Sequence, residues 1–250
     1  MFLYRRAARV VSVTHAFRQT LMRRGIDGGK IDVVTNGVDI GRFSPRPKDA
    51  ALEAALGWQG CFVAGYIGTH GLAHGLDTLL QAMHRLAEHP EGRDVRLLML
   101  GDGARKAHLQ AEAQRLGLGN VRFVDTVPKA EVARYWSLLD VSIIHLQRTE
   151  LFTTVIPSKL FECMGMGIPV LHGVAGESAD IVRREGVGVV FEPANVQELV
   201  DGLLELKRDV ALRASLRQAG LKAAGHYDRK ALAQRMLGVV KDVAGAGGGA

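Results

Sequence analysis

Cysteine is close to absent from this sequence. Cys61 and Cys163 each stand in an apolar run with no CxxC partner, which argues against a disulfide framework or a thiolate metal site and for two buried free thiols. Long apolar runs are missing as well. None approaches the roughly 18 residues needed to span a bilayer, and the first residues lack the charge, apolar core and small-residue cleavage site of a signal peptide, so an intracellular chain is expected. Aromatic residues make up only 6% of the chain. The densest basic cluster, Arg5, Arg6, Arg9, Arg18, Arg23 and Arg24, therefore lacks the interleaved rings of a single-strand binding platform and reads as a solvated face, with no nucleic acid partner. No pair of histidines has the spacing of metal ligands, and no metal site is expected.

What is present is the composition of a globular chain: 250 residues, 47% hydrophobic and 23% charged, with a net charge of +6 that suits anionic or phosphorylated partners. Six short apolar runs, "CFVAGYIG" (61–68), "VRLLMLG" (95–101), "VRFVD" (121–125), "DVSIIHL" (140–146), "IPVLHG" (168–173) and "VGVVFE" (187–192), alternate with segments whose apolar residues recur at three and four. Continuous apolar strands between amphipathic helices predict an α/β fold, a Rossmann-like doubly wound parallel sheet covered on both faces. Residues 1–45 read as helix, strand, helix, strand and the turn "NGVD", the tail of another α/β layer. Two helices are expected after residue 209, with a frayed Gly/Ala tail over 245–250.

Ligands of such sheets lie beyond the carboxyl ends of the strands. The loops there, "GTHGLAHG" (68–75), "GDGARK" (101–106), "DTVPKAE" (125–131), "LQRTELFTTVIPSK" (146–159) and "GVAGES" (173–178), are rich in Gly, Thr, Ser, Lys and Arg, which suits a diphosphate. "GDGARK" is not GxGxxG and follows the second core strand, so a plain strand-to-helix turn is the better reading than a dinucleotide fingerprint. Lys159 and Glu162 stand three residues apart at the start of a helix, a cation and a carboxylate on one face. Of His70, His74, His145 and His172, all near strand ends, His74 alone is singled out as a candidate ligand contact.

The segments "VVTNGVDIGRFSP" (33–45), "GYIGTHGLAHGLDTLLQAM" (65–83), "LLMLGDG" (97–103), "NVRFVDTVPKAEVARYWSLLDVSII" (120–144) and "PSKLFECMGMGIPVL" (157–171) resemble, in order, the C-terminal half of GT-B fold glycosyltransferases of family 4, glycosyltransferase group 1. "TVIPSKLFE" and "GTHGLAHGLDTLL" are similar to the WbuB-type transferases of surface polysaccharide assembly. The resemblance implies a retaining, metal-independent enzyme without a cofactor, whose substrate is a nucleotide-sugar donor, UDP-linked, and whose acceptor is a saccharide or a lipid-linked saccharide. It implies cytoplasmic work with peripheral contact at the inner membrane face. It also implies an organisation: 1–45 as the remnant of the N-terminal acceptor domain, 46–225 as the donor-binding Rossmann domain, 226–244 as a C-terminal helix packing toward the N-terminal domain, and 245–250 as the tail.

Glu162 matches the second of the family's two glutamates separated by seven residues, which grips ribose hydroxyls, and Lys159 then lies beside the diphosphate. The first glutamate's place holds Thr154, the family's arginine is Thr69, and its lysine is His74. Either His74 is protonated against the diphosphate, or Lys159 and Arg148 carry the charge, or a neutral His74 serves the loop fold. Val127 and Pro128, with Asp125 and Lys129 nearby, match the segment that meets the base. The expected catalytic residues are thus Glu162, Lys159 and Thr154; the expected donor contacts are Gly68, Thr69, His74, Gly75, Val127, Pro128, Arg148, Thr153, Pro157 and Ser158. The alternatives are a GT-B sugar-nucleotide epimerase and a truncated, non-catalytic nucleotide-binding module.

Overall fold

Apolar segments with no polar face become central strands, and the amphipathic segments between them become the helices that cover the sheet. The computed structural model of the chain describes residues 1–247. Its strands are β1 (Val10–Ser12), β2 (Ile31–Val33), β3 (Phe62–Ile67), β4 (Val95–Leu100), β5 (Val121–Val124), β6 (Val141–His145), β7 (Val170–Gly173) and β8 (Gly188–Val190). The helices are α1 (Phe2–Arg6), α2 (His15–Arg23), α3 (Ala50–Leu56), α4 (Asp77–Glu88), α5 (Lys106–Arg115), α6 (Val132–Ser137), α7 (Lys159–Met166), α8 (Glu177–Glu185), α9 (Val196–Arg208), α10 (Val210–Ala224) and α11 (Arg229–Gly247).

The six expected core strands form one parallel sheet in the order β5-β4-β3-β6-β7-β8. With β3 as the first strand this is the 3-2-1-4-5-6 order of a doubly wound sheet, whose direction of winding reverses between β3 and β6. Strand alternation divides the core. Val63, Ile67, Leu98, Leu100 and Ile144 face the layer built by Trp136, Leu160, Phe161, Met164 and Tyr227. Phe62, Ala64, Tyr66, Leu97 and Met99 face α4, α5 and α9 through Leu79, Leu80, Met83, Leu109, Leu199 and Leu203. Each such aliphatic side chain contributes roughly 1.5–3 kcal/mol on burial, enough in sum to fix the sheet's register against the helices. Gly167, at φ +65°, ends α7 in the left-handed conformation and turns the chain directly into β7.

The N-terminal segment forms a separate parallel pair, β1 with β2, over a small core of Val10, Leu21, Ile26 and Ile31. It is stitched to the end of the chain at the "NGVD" turn: Val38 N–H donates to the Tyr227 carbonyl (2.9 Å), Arg229 N–H donates to the Val38 carbonyl (2.9 Å), and the Arg235 guanidinium reaches the Val33 carbonyl (3.0 Å). A Cβ on Gly37 would lie 2.2 Å from the Tyr227 carbonyl oxygen, so this crossing demands glycine. The last helix continues to Gly247, which makes residues 245–247 of the expected tail helical; residues 248–250 lie outside the described residues. No helix among the described residues is long and apolar enough to cross a membrane.

Candidate functional site

Doubly wound sheets bind ligands in the crevice outside the strands' carboxyl ends at such a reversal, and here that position falls between the loop after β3 and the segment leading into α7. Lys159 opens α7 and reaches back across that crevice, its Nζ 3.7 Å from the centroid of the Tyr66 ring on β3. Gly68 makes room for it: a Cβ there would sit 2.8 Å from the ammonium, and its φ of +146° is one that L residues rarely adopt. The ammonium forms no ion pair or protein hydrogen bond among the described residues. It keeps an opening to solvent, yet its apolar and aromatic surroundings push its pKa down to about 8.

The helix start offers a narrower set of donors than a free helix terminus. Leu160, Phe161 and Glu162 donate their N–H groups to the Pro157 and Ser158 carbonyls, leaving the amides of Ser158 and Lys159 without a protein acceptor among the described residues. One turn further, the half-buried Glu162 carboxylate accepts no protein hydrogen bond among the described residues. Burial pushes its pKa up, while Lys159, Arg229 and Arg42 oppose that shift. A half-buried carboxylate with cations nearby and no protein donor is an acceptor waiting for hydroxyl donors.

Two histidines of the loop after β3 lie near the Tyr66 ring, His70 at 5.9 Å and His74 at 6.0 Å between centroids. His70 is fully buried, neither ring nitrogen has a protein partner, and burial together with Lys106 and Lys159 lowers its pKa to about 4. Burial and the nearby Lys159 also push His74 down, so of the readings left open by the sequence the geometry favours a neutral His74. The loop backbone is laced to the next one: His70 N–H donates to the Asp102 carbonyl (2.8 Å), and Arg105 N–H donates to the His70 carbonyl (2.9 Å). A Cβ on Gly101 would meet the Gly68 carbonyl oxygen at 1.9 Å. "GDGARK" is accordingly a strand-to-helix turn, with Lys106 beginning α5 and pairing with Asp125 at 2.5 Å.

The other expected contacts have partners and surroundings of their own. Arg148 is exposed and pairs with Glu192 at 3.3 Å, on the rim of a cavity of about 460 Å³ that Phe152, Thr153, Ala175 and Pro193 also line. The hydroxyls of Thr153 and Thr154 turn back onto the Glu150 and Leu151 carbonyls (2.7 and 2.8 Å), and Thr154 lines a groove shared with Phe17, Thr20 and Arg24 of the N-terminal layer. Thr69 is exposed, and its carbonyl accepts the Tyr66 hydroxyl at 2.8 Å. Gly75 turns at φ +54°, Val127 packs on the core edge, and Pro128 is exposed beside it. Pro157 is half-buried, and Ser158 lines a groove of about 400 Å³ with Asn36, Gly37 and Arg229. A cavity of about 600 Å³ lies at the opposite, amino-terminal ends of the strands, lined by Lys48, Asp140 and Arg213, away from all of these loops.

Sequence reading missed Tyr66, Arg42, Arg229 and Glu177. The Glu177 carboxylate, at the start of α8, accepts the first two backbone N–H groups of α2, from His15 (2.9 Å) and Ala16 (2.6 Å), and so joins the sheet to the N-terminal layer. Among the described residues, no three His, Cys, Asp or Glu side chains come together as a metal-holding group.

With this geometry in place, comparison with known proteins is specific. The family described as "Glycosyl transferases group 1" matches residues 50–223. The D-inositol 3-phosphate glycosyltransferase 2 of Catenulispora acidiphila is 30% identical over 217 residues, covering 82% of this chain and 50% of that protein. The D-inositol 3-phosphate glycosyltransferase of Segniliparus rotundus is 31% identical over 220 residues, covering 84% and 46%. The chain thus spans about half the length of the curated relatives it matches. Among solved structures, Anabaena Alr3699/HepE in complex with UDP-glucose superposes with a TM-score of 0.83 at 21% identity, over 96% of this chain and 66% of that one, a likeness of fold.

Proposed function

The chain belongs to the group 1 glycosyl transferases, and on that premise we propose that it carries the donor half of a retaining, metal-independent transferase of the family 4 kind. In this reading the crevice takes a nucleotide diphosphate sugar, UDP-linked, and the sugar passes to a saccharide or lipid-linked acceptor in surface polysaccharide assembly. The observation that carries it is the pairing of an unpartnered ammonium, Lys159, with an unbonded carboxylate, Glu162, one helical turn apart at the sheet's reversal point. Lys159 faces the diphosphate, helped by the free amides of Ser158 and Lys159, and offsets the charge that grows on the leaving group. Glu162 accepts the ribose hydroxyls and fixes the nucleoside end. Gly68 and Gly75 let the loop backbone approach the phosphates, Val127 and Pro128 flank the base, and the neutral His74 shapes the loop rather than supplying charge.

Residues 1–45 supply part of a second wall, and Glu177 holds it against the first. Transfer further requires an acceptor hydroxyl held against the anomeric carbon, a positioning effect worth several orders of magnitude in rate, which we assign to a fuller acceptor lobe. Titration calorimetry of this chain with UDP, GDP, ADP and their sugars tests the donor assignment. Saturable binding with UDP preferred is the expected result; absence of binding by all of them overturns it.

A further inference from the structure

His145, the last residue of β6, is 1% exposed and uses both ring nitrogens. Its Nδ1 lies 2.7 Å from the His74 carbonyl oxygen, and its Nε2 lies 3.0 Å from the backbone nitrogen of Ala194. These partners dictate the tautomer. A backbone N–H only donates, so Nε2 holds the lone pair and Nδ1 carries the proton that is given to the His74 carbonyl. The ring is walled in on every side: it stacks on Phe191 (5.9 Å, 12°), a Cβ on Gly173 would come within 2.7 Å of its Cδ2, and one on Gly75 within 3.1 Å of its Cε1.

The two groups it joins come from different ends of the chain. One is the tip of the loop after β3. The other is the loop between β8 and α9, where Ala194 is the one non-glycine residue at positive φ, +66°, among the described residues. An apolar side chain of similar size would fill the space and lose both bonds. The loop tip is also held by the Gln147 N–H, which donates to the Ala73 carbonyl at 2.8 Å. That backbone bond does not depend on the side chain at 145, so replacing His145 frees the tip without removing the loop's attachment.

We propose that His145 is a positioning residue for donor binding: its Nδ1–H fixes the backbone from His74 to Gly75 where that loop closes on the diphosphate, and its Nε2 anchors the assembly to Ala194. The inference rests on the donor reading of the crevice given above. Asparagine places an amide donor near the position of Nδ1, whereas glutamine places its amide near Nε2, so the conservative variants separate the two bonds.

The test compares wild type with His145→Ala, His145→Asn and His145→Gln by hydrogen exchange without ligand and by calorimetry with UDP and with uridine. Faster exchange at His74 and Gly75 is expected in the alanine and glutamine variants, with the asparagine variant close to wild type. UDP affinity should fall about three- to tenfold in the first two, the range for one neutral hydrogen bond, while uridine affinity stays unchanged. Unchanged exchange in the loop overturns the positioning role, as does a loss of equal size in all three variants and for both ligands, which would mark His145 as core packing only. If wild type binds neither ligand, the donor reading fails, and the exchange arm still decides whether His145 holds the loop.

Discussion

The Lys159 ammonium lies over the Tyr66 ring at 3.7 Å and forms no ion pair among the described residues. A ring face stabilises a desolvated cation by roughly 2 kcal/mol, and the lowered pKa of Lys159 shows that this does not offset its burial, so the charge is held at a cost that an anionic ligand relieves. Two consequences can be measured.

The first concerns protons. Lys159 titrates at about 8 in the folded chain against an ordinary 10.5. Below about pH 8 both states carry the charge; between these values the unfolded chain keeps a proton that the folded chain has released. The unfolded state then binds more protons, so this group's contribution to stability rises with pH over that interval, and a Lys159→Met variant should lack the rise in denaturant titrations. A bound diphosphate restores the ordinary pKa, so UDP binding at about pH 8 should take up about half a proton at Lys159, and binding about two units lower should take up almost none there. Calorimetry in buffers of different ionisation enthalpy reads this directly. Proton release would contradict the placement of Lys159 at the phosphates.

The second separates the two halves of the ligand. Glu162→Ala should weaken UDP by about 1.5–3 kcal/mol, the range for a charged hydrogen bond, and weaken uridine as much. Lys159→Ala should cost UDP a similar amount and leave uridine nearly unaffected. Equal losses of both ligands in the lysine variant would remove it from the diphosphate.

Glu177 caps α2 from across the chain, and a carboxylate on two terminal amides combines a cap with the helix dipole. Glu177→Ala should destabilise the N-terminal layer by about 1–2 kcal/mol, with Glu177→Gln intermediate, seen as earlier hydrogen exchange in α2 than in the main sheet. A uniform loss across the chain would place the effect elsewhere.

If Lys159 supplies the positive charge at the diphosphate, a divalent cation has no part to play in donor affinity. A chelator should therefore leave the UDP dissociation constant unchanged, and a requirement for added magnesium would replace this mechanism with a metal-assisted one.

Much of the fold was legible because the strands carry no polar face. All six apolar runs became strands of one sheet, and the helices between them cover both of its faces as expected. The lysine and glutamate were legible because helical spacing alone sets them on one face. Tyr66 was not: inside "CFVAGYIG" it reads as another core residue, and only the loop after β6 shows that it supports a cation. The partner of Arg148, Glu192, was not legible: it follows the edge strand of the sheet, a neighbour that no local pattern reveals. His145 read as a lone structural histidine because both of its partners are backbone groups, which leave no trace in side-chain sequence.

The lacing of the loops after β3 and β4, with Gly101 seated on the Gly68 carbonyl, means that the β3 side of the crevice rests on contacts between main chains. Its shape is therefore insensitive to side-chain choice and intolerant of any added carbon. The segment from Arg148 to Thr154 is the reverse, a surface stretch of side chains, polar but for Leu151 and Phe152, beside open cavities. A combinatorial library over residues 148–154 leaves that packing intact, whereas randomising Gly68 or Gly101 would spend most of its members on chains whose two loops no longer fit together.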